Sequence, residues 1–455
     1  MLMGNKFYII NNGLKDLYGH YFETAVSVAE AARDLGWTPL LAAHYTCPKD
    51  LVPSWLAFHP VLHTDHWMPG RMRSFKRTVR NLLPDSLHEV ARAGARLSKR
   101  WFGKLSRSVS VLNKSPNHED QPISRLALDL EQIGSGEETE YLSLFQKELT
   151  SLLTTTQCGP SDHVFVPTAH GRELIAIQRM VADWEPERLP TFHLEFRHDL
   201  DVYGLTYREQ HRVYFQHARE FSKSDRLRLY SDTSELSASF ERFSGLRFDT
   251  LPIPFRSQLI EPSPPSDQIR ISYFGDARDE KGFYWLPDLV DSLLDNYLRS
   301  GRVSFIIQAT RSPTSHSRRS RRALEQLRRY DSKYFRFVGE ESPLQTEEYY
   351  RLVSETDILL CPYDAARYRT RSSGTFTEGL SAGVPTVCPA DTWMSTQLPP
   401  GGGEKFADKQ SFINAVKRIC DQYPAYRERA QKYKNSWNEC HSPTKLVRTI
   451  IGQAK

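Results

Sequence analysis

The 455 residues hold no apolar run near the roughly 18–20 residues that a bilayer crossing needs, so a helical membrane span is excluded. Cysteine is scarce and scattered: Cys47, Cys158, Cys361, Cys388, Cys420 and Cys440 form neither a CxxC pair nor a metal-ligand spacing. That argues against a disulfide scaffold or zinc module and for reduced thiols in a cytoplasmic protein. A leader peptide is not expected, because the apolar residues 7–10 are too few and Asn11, Asn12 and Gly13 follow at once. A full GxGxxG is missing, so no dinucleotide fingerprint is legible. Aromatics are rarely interleaved with the basic residues, which argues against nucleic acid as a partner.

What is there is enough apolar sequence for two domains, the natural division for a chain too long for one ordinary core. The net charge of +5 is unevenly spread. Residues 71–114 carry twelve Lys/Arg against two acids, Asp85 and Glu89, and leave the remainder net negative. In residues 71–107 the arginines and lysines flank two apolar stripes, one through Met72, Phe75, Val79 and Leu82 and one through Leu87, Val90, Leu97 and Trp101. These read as basic amphipathic helices, either a solvated face or a surface for an anionic membrane.

Elsewhere the pattern alternates strand and helix. Strands are expected at 6–11, 38–43, 163–167, 190–196, 226–230 and 248–253, with a basic helical insertion at about 66–157. Prolines crowd 252–265, as in an interdomain linker. A second series then opens at 269, with strands at 269–274, 302–308 and 334–338, and the chain from 408 onward reads as helical. The spacing predicts an α/β protein of two Rossmann-like domains facing a cleft, at 1–255 and 256–435, with 436–455 beyond them.

Residues 356–389 are the most informative stretch. An apolar strand ends at Pro362, an Arg-rich loop follows, and Ser372, Ser373 and Gly374 open a helix carrying Glu378 before Gly383 ends it. A helix N-terminus at the carboxyl end of a strand offers free N–H groups to an anion, so this loop is built to hold a phosphate.

With GDARDEKGF at 275–283, FVGEESPLQTEEYYRLVSETDILLCP at 337–362, SSGTFTEGLSAGVPTV at 372–387 and a glycine turn before a helix at 401–403, the second half resembles the donor domain of GT-B glycosyltransferases. It is most similar to the retaining enzymes of glycosyltransferase family 4. The resemblance implies transfer of a sugar from a UDP- or GDP-sugar to a glycan or lipid-linked hydroxyl, without metal or cofactor. It also implies a C-terminal helix crossing back to the first domain.

Onto matching positions it carries Arg278 and Lys281 as cations for the leaving diphosphate, and His170 as a histidine facing the transferred sugar. It makes Gly19, Gly275, Ser372, Ser373, Gly374 and Thr375 the donor cradle, and Glu378 the acceptor of ribose hydroxyls. His20, His193, Arg197, His198 and Asp199 become candidates for the acceptor or sugar side. The family's first glutamate, which contacts the sugar, falls on Thr370 here, with Arg371 beside it. A nucleotide-sugar epimerase of the same fold, or a glycan-binding scaffold, are the alternative expectations.

Overall fold

The computed structural model describes residues 5–15, 20–50, 52–64, 136–200, 205–221, 226–256, 260, 266–275, 277–309, 317–340, 342 and 344–453. The two basic helices expected within 71–107, and most of the expected insertion, lie outside these residues.

The first series runs β1 (Lys6–Asn11), α1 (His20–Asp34), β2 (Thr38–His44), β3 (Ala57–Leu62), α2 (Gly136–Thr155), β4 (His163–Val166), α3 (Gly171–Asp183), β5 (Thr191–Glu195), α4 (Leu205–Phe221), β6 (Leu227–Ser231), α5 (Ser234–Ser244) and β7 (Asp249–Thr250). Its strands form one sheet in the order β3-β2-β1-β4-β5-β6-β7, parallel at every pairing. Helices cover both faces, so β1 and β2 are near-continuous apolar runs with every residue after the first buried. The edge strand β3 was not legible. Its AFHPVL keeps one residue fully buried and carries a proline, which an edge position tolerates.

The second series runs β8 (Ile269–Tyr273), α6 (Leu286–Leu293), β9 (Val303–Gln308), α7 (Arg318–Leu327), β10 (Phe335–Val338), α8 (Thr346–Ser354), β11 (Ile358–Leu360), α9 (Gly374–Ala382), β12 (Thr386–Pro389), α10 (Trp393–Gln397) and β13 (Gly403–Phe406). These strands form a second parallel sheet, β10-β9-β8-β11-β12-β13. The glycine turn at 401–403 therefore leads into an edge strand first. The helix follows only at α11 (Lys409–Asp421), which Asp408 caps by accepting from the Ser411 N–H at 2.7 Å.

Beyond α11 come α12 (Tyr423–Cys440) and α13 (Pro443–Ile450). The first packs Trp437 into the second domain beside Trp393 and Phe376, while the second buries Leu446, Val447 and Ile450 against Ala25, Val28, Ala29 and Ala32 of α1. The C-terminal helix thus crosses back to the first domain. At the crossing, the Ile253 N–H donates to His441 Nδ1 at 3.1 Å, and the linker's Arg256 pairs with Glu23 at 3.2 Å and Glu30 at 2.5 Å on α1. Among the described residues no helix is long and apolar enough to cross a membrane.

Candidate functional site

In each sheet the strand order reverses at one place, between β1 and β4 in the first and between β8 and β11 in the second. The crevice outside the carboxyl ends of such strands is where ligands bind in open α/β sheets. The loop after β8 and the loop after β11 are joined there. The Asp364 N–H donates to the Glu280 carbonyl at 2.9 Å, and Gly282, at φ +66°, lies so close that a Cβ would stand 1.7 Å from the Pro362 carbonyl oxygen. Only glycine fits that approach.

The junction gathers cations onto an aromatic floor. The rings of Tyr363 and Tyr368, both buried, lie 4.6 Å apart. Lys281 Nζ stands 5.6 Å from the Tyr363 ring centre, and the Arg371 guanidinium stands 5.3 Å from that of Tyr368, with its buried Nε making no hydrogen bond. Arg278, on the same loop as Lys281, pairs with Glu280 at 3.1 Å and keeps 44% of its side chain exposed. Beside this floor Ser373 caps α9 by accepting from the Phe376 N–H at 3.4 Å, so Gly374 and Thr375 open the helix with their N–H groups toward the junction. One turn on, Glu378 is 2% exposed and accepts from the Tyr349 hydroxyl at 2.5 Å. Burial, and then the Glu378 carboxylate, push that phenol well above its ordinary range, so it stays a donor. Arg278, Lys281, Gly275, Arg371, Ser372, Ser373, Gly374, Thr375 and Glu378 thus share one corner of the second domain.

The first domain contributes a denser, more polar wall. His170 caps α3, and its own N–H is held by Glu173 at 2.8 Å in a capping arrangement. Its ring is buried and stacks on His198, 5.5 Å away and 7° from parallel. Glu195 ends β5, Asp232 follows β6, and Arg197 donates from Nε to Asp232 at 3.1 Å. Burial pushes the Glu195 carboxyl up to about 8, with Arg197 pulling it down and Asp232 pushing it up. For Arg197 burial works against the charge, yet Glu195 and Asp232 hold it above the ordinary arginine range.

The two walls touch through the Arg-rich loop. Thr370 donates to Asp199 at 2.7 Å, and its carbonyl accepts from Thr233 at 2.5 Å. Ser372 donates to Asp232 at 2.5 Å. The uncharged residue at 370 therefore reaches a carboxylate of the opposite domain.

Three expected residues lie elsewhere or outside. His193 is corrected to an interior position: it is fully buried within β5, with its two ring nitrogens engaged by His163 at 2.8 Å and Tyr230 at 3.0 Å. Gly19 falls outside the described residues, and so does the side chain of His20, which begins α1. Asp199 is placed here, bonded to Thr370, whereas Glu195, Asp232, Tyr349, Tyr363 and Tyr368 were not anticipated. For the acids a signal existed, since Glu195 and Asp232 stand at the carboxyl ends of adjacent strands, where ligands bind. Among the described residues no group of three or more His, Cys, Asp or Glu is placed to hold a metal ion.

No protein-family model matches the sequence, and no curated protein matches it. Solved structures match in fold. A sucrose-phosphate synthase from Thermosynechococcus elongatus aligns over 99% of this chain and 97% of its own, with a TM-score of 0.62 at 12% identity. WaaG, a glycosyltransferase involved in lipopolysaccharide biosynthesis, aligns over 98% and 100%, with 0.54 at 14%. Anabaena HepE, solved in complex with UDP and glucose, aligns over 98% of both chains, with 0.55 at 11%. The fold is that of the GT-B glycosyltransferases.

Proposed function

We propose that this chain is a retaining glycosyltransferase of the family 4 type, moving a sugar from a UDP- or GDP-sugar to a hydroxyl of a glycan or lipid-linked acceptor in the cytoplasm, without a metal. The observation that carries the reading is the corner at the N-terminus of α9, where Lys281 and Arg371 stand over two tyrosine rings, with Arg278 on the loop of Lys281, beside open helix N–H groups. As a glycosidic bond to a nucleoside diphosphate breaks, charge grows on the departing phosphate. Fixed cations and N–H donors in a partly dry site stabilise that charge more than they stabilise the ground state.

Each residue then has a task. Lys281 and Arg278 meet the diphosphate from one side, Arg371 from the other, and Gly374 and Thr375 supply backbone donors. Glu378, oriented by Tyr349, accepts from the ribose hydroxyls. His170, steadied by His198, closes the first-domain side over the sugar. The fold of WaaG and HepE supports the architecture but not the choice of sugar, since one fold serves many substrates.

The test starts with a melting screen of UDP, GDP, ADP and TDP. A nucleotide at about a hundred times its dissociation constant adds roughly 2.7 kcal/mol of stability, several degrees in melting temperature. Transfer or hydrolysis of the matching nucleotide-sugar is then expected from the wild type and lost in Lys281→Ala and Glu378→Ala. Wild-type protein that responds to no nucleoside diphosphate removes the proposal.

A further inference from the structure

The first-domain wall contains a feature that the donor reading leaves unused. Glu195 and Asp232 are each 2% exposed, yet Glu195 Oε1 and Asp232 Oδ1 make no hydrogen bond. A buried carboxylate oxygen without a donor costs about 1–3 kcal/mol, more when charged, so two at one place call for an explanation. Both belong to one cluster, because Arg197 bonds Asp232 and interacts electrostatically with Glu195. The cluster also faces the donor corner directly, since the other oxygen of Asp232 takes the hydroxyl of Ser372, two residues before α9 begins.

The electrostatics select among ligands. Burial pushes the Glu195 carboxyl above its ordinary range, which favours its neutral form, and Arg197 offsets Asp232, so the cluster carries less net charge than two free carboxylates would. A cation gains less there, and a diphosphate on α9 is repelled less. Polyhydroxyl groups fit. A carboxylate oxygen, a protonated carboxyl and a guanidinium side by side can accept from and donate to neighbouring hydroxyls, the pattern a pyranose presents. Geometry selects the same partner, because the Ser372–Asp232 bond sets the N-terminus of α9 against the ends of β5 and β6, and a sugar on a diphosphate held at that terminus would lie beside them.

We infer that Glu195 and Asp232, held by Arg197, are the specificity residues that read hydroxyls of the transferred sugar, an acidic site furnished by the first domain opposite the uncharged Thr370. The inference rests on the donor reading above, and the sugar's entry supplies the donors that Glu195 Oε1 and Asp232 Oδ1 lack.

The test uses the full chain and two near-isosteric variants, Glu195→Gln and Asp232→Asn, whose melting curves are recorded first; if one fails to fold, the other carries the measurement. Dissociation constants are measured for UDP, UDP-glucose, UDP-galactose, GDP and GDP-mannose. The expected result is that UDP and GDP bind within about twofold of wild type. The best-bound sugar nucleotide weakens roughly 10- to 100-fold in Asp232→Asn, as loss of a hydrogen bond to a charged group predicts, and about 2- to 10-fold in Glu195→Gln, as loss of a neutral one does. Discrimination between the epimers UDP-glucose and UDP-galactose shrinks with it. A purely structural role would weaken nucleotide and nucleotide-sugar together and leave the epimer ratio alone. That outcome, or no change at all, overturns the inference while the donor reading stands. Wild-type protein that binds none of the five removes both.

Discussion

Gly275 offers the most direct way to ask whether the position of Lys281, and not just its charge, matters. The residue lies two positions beyond the end of β8 with φ +113°, and its N–H donates to Gln308 Oε1 at 2.8 Å. A Cβ built there lies 2.3 Å from Lys281 Nζ and 3.2 Å from its Cδ. Gly275→Ala therefore acts twice. Backbone strain at that φ costs about 1–3 kcal/mol, or roughly 3 °C of melting temperature per kcal/mol in a domain of this size. The ammonium, at the end of a flexible chain, moves away from the Tyr363 ring at little further cost.

Loss of one positioned donor at a developing charge typically lowers turnover about 10²- to 10³-fold, so Gly275→Ala should approach Lys281→Ala in donor turnover. The decisive measurement is the double variant. If glycine serves to leave room for the ammonium, Gly275→Ala adds nothing to the activity loss of Lys281→Ala, although its backbone strain still lowers the melting temperature. Multiplied activity losses, or near-normal turnover in Gly275→Ala alone, would refute the reasoning.

Other consequences are open to similar checks. Tyr349→Phe removes the hydroxyl held by Glu378 and should cost about 1.5–3 kcal/mol in stability together with weaker nucleotide binding; unchanged affinity for UDP and GDP would separate Glu378 from the ribose. Arg256→Ala leaves buried Glu23 and half-buried Glu30 without their cation and should cost about 2 kcal/mol, between the values for exposed and buried pairs, read from denaturant midpoints. Burial holds the His441 ring down to about 4, so it is neutral when folded, whereas an unfolded histidine titrates near 6.5. Between those values the unfolded chain binds the extra proton, and its stability contribution is lost as pH falls, by roughly 2 kcal/mol at pH 5. His441→Asn, which keeps an acceptor for the Ile253 N–H, should therefore lose less melting temperature than wild type between pH 7 and pH 5. Parallel losses would show that the ring does not titrate as described.

The second domain was largely legible because its chemistry is local in sequence. A strand, a turn rich in Asp and Gly, and SSG before a helix each announce themselves within a few residues, and the corner that holds Lys281 and Glu378 follows from them. Tyr363 and Tyr368 stand within the same loop, but their role as a floor depends on how the loop folds over itself, which no periodicity records. The first-domain wall was harder. Glu195, Asp199 and Asp232 come from different strand ends and acquire meaning only when Thr370 and Ser372 arrive from the other domain. His193 misled for the reverse reason: a histidine near a strand end looks available until His163 and Tyr230 close around it. The turn at 401–403 was read as preceding a helix because GEKF, as an edge strand, buries fully only its final residue.

The placement of α13 bears on how the protein is made. Leu446, Val447 and Ile450 belong to the same apolar cluster as β1 and α1, so the first domain's core is finished by residues synthesised after the entire second domain. On the ribosome, α1 must wait with an uncovered apolar face, while the second domain, whose apolar clusters draw on residues 253–437, can complete itself earlier. Biogenesis should then proceed out of chain order, with the donor half folding before the half that precedes it.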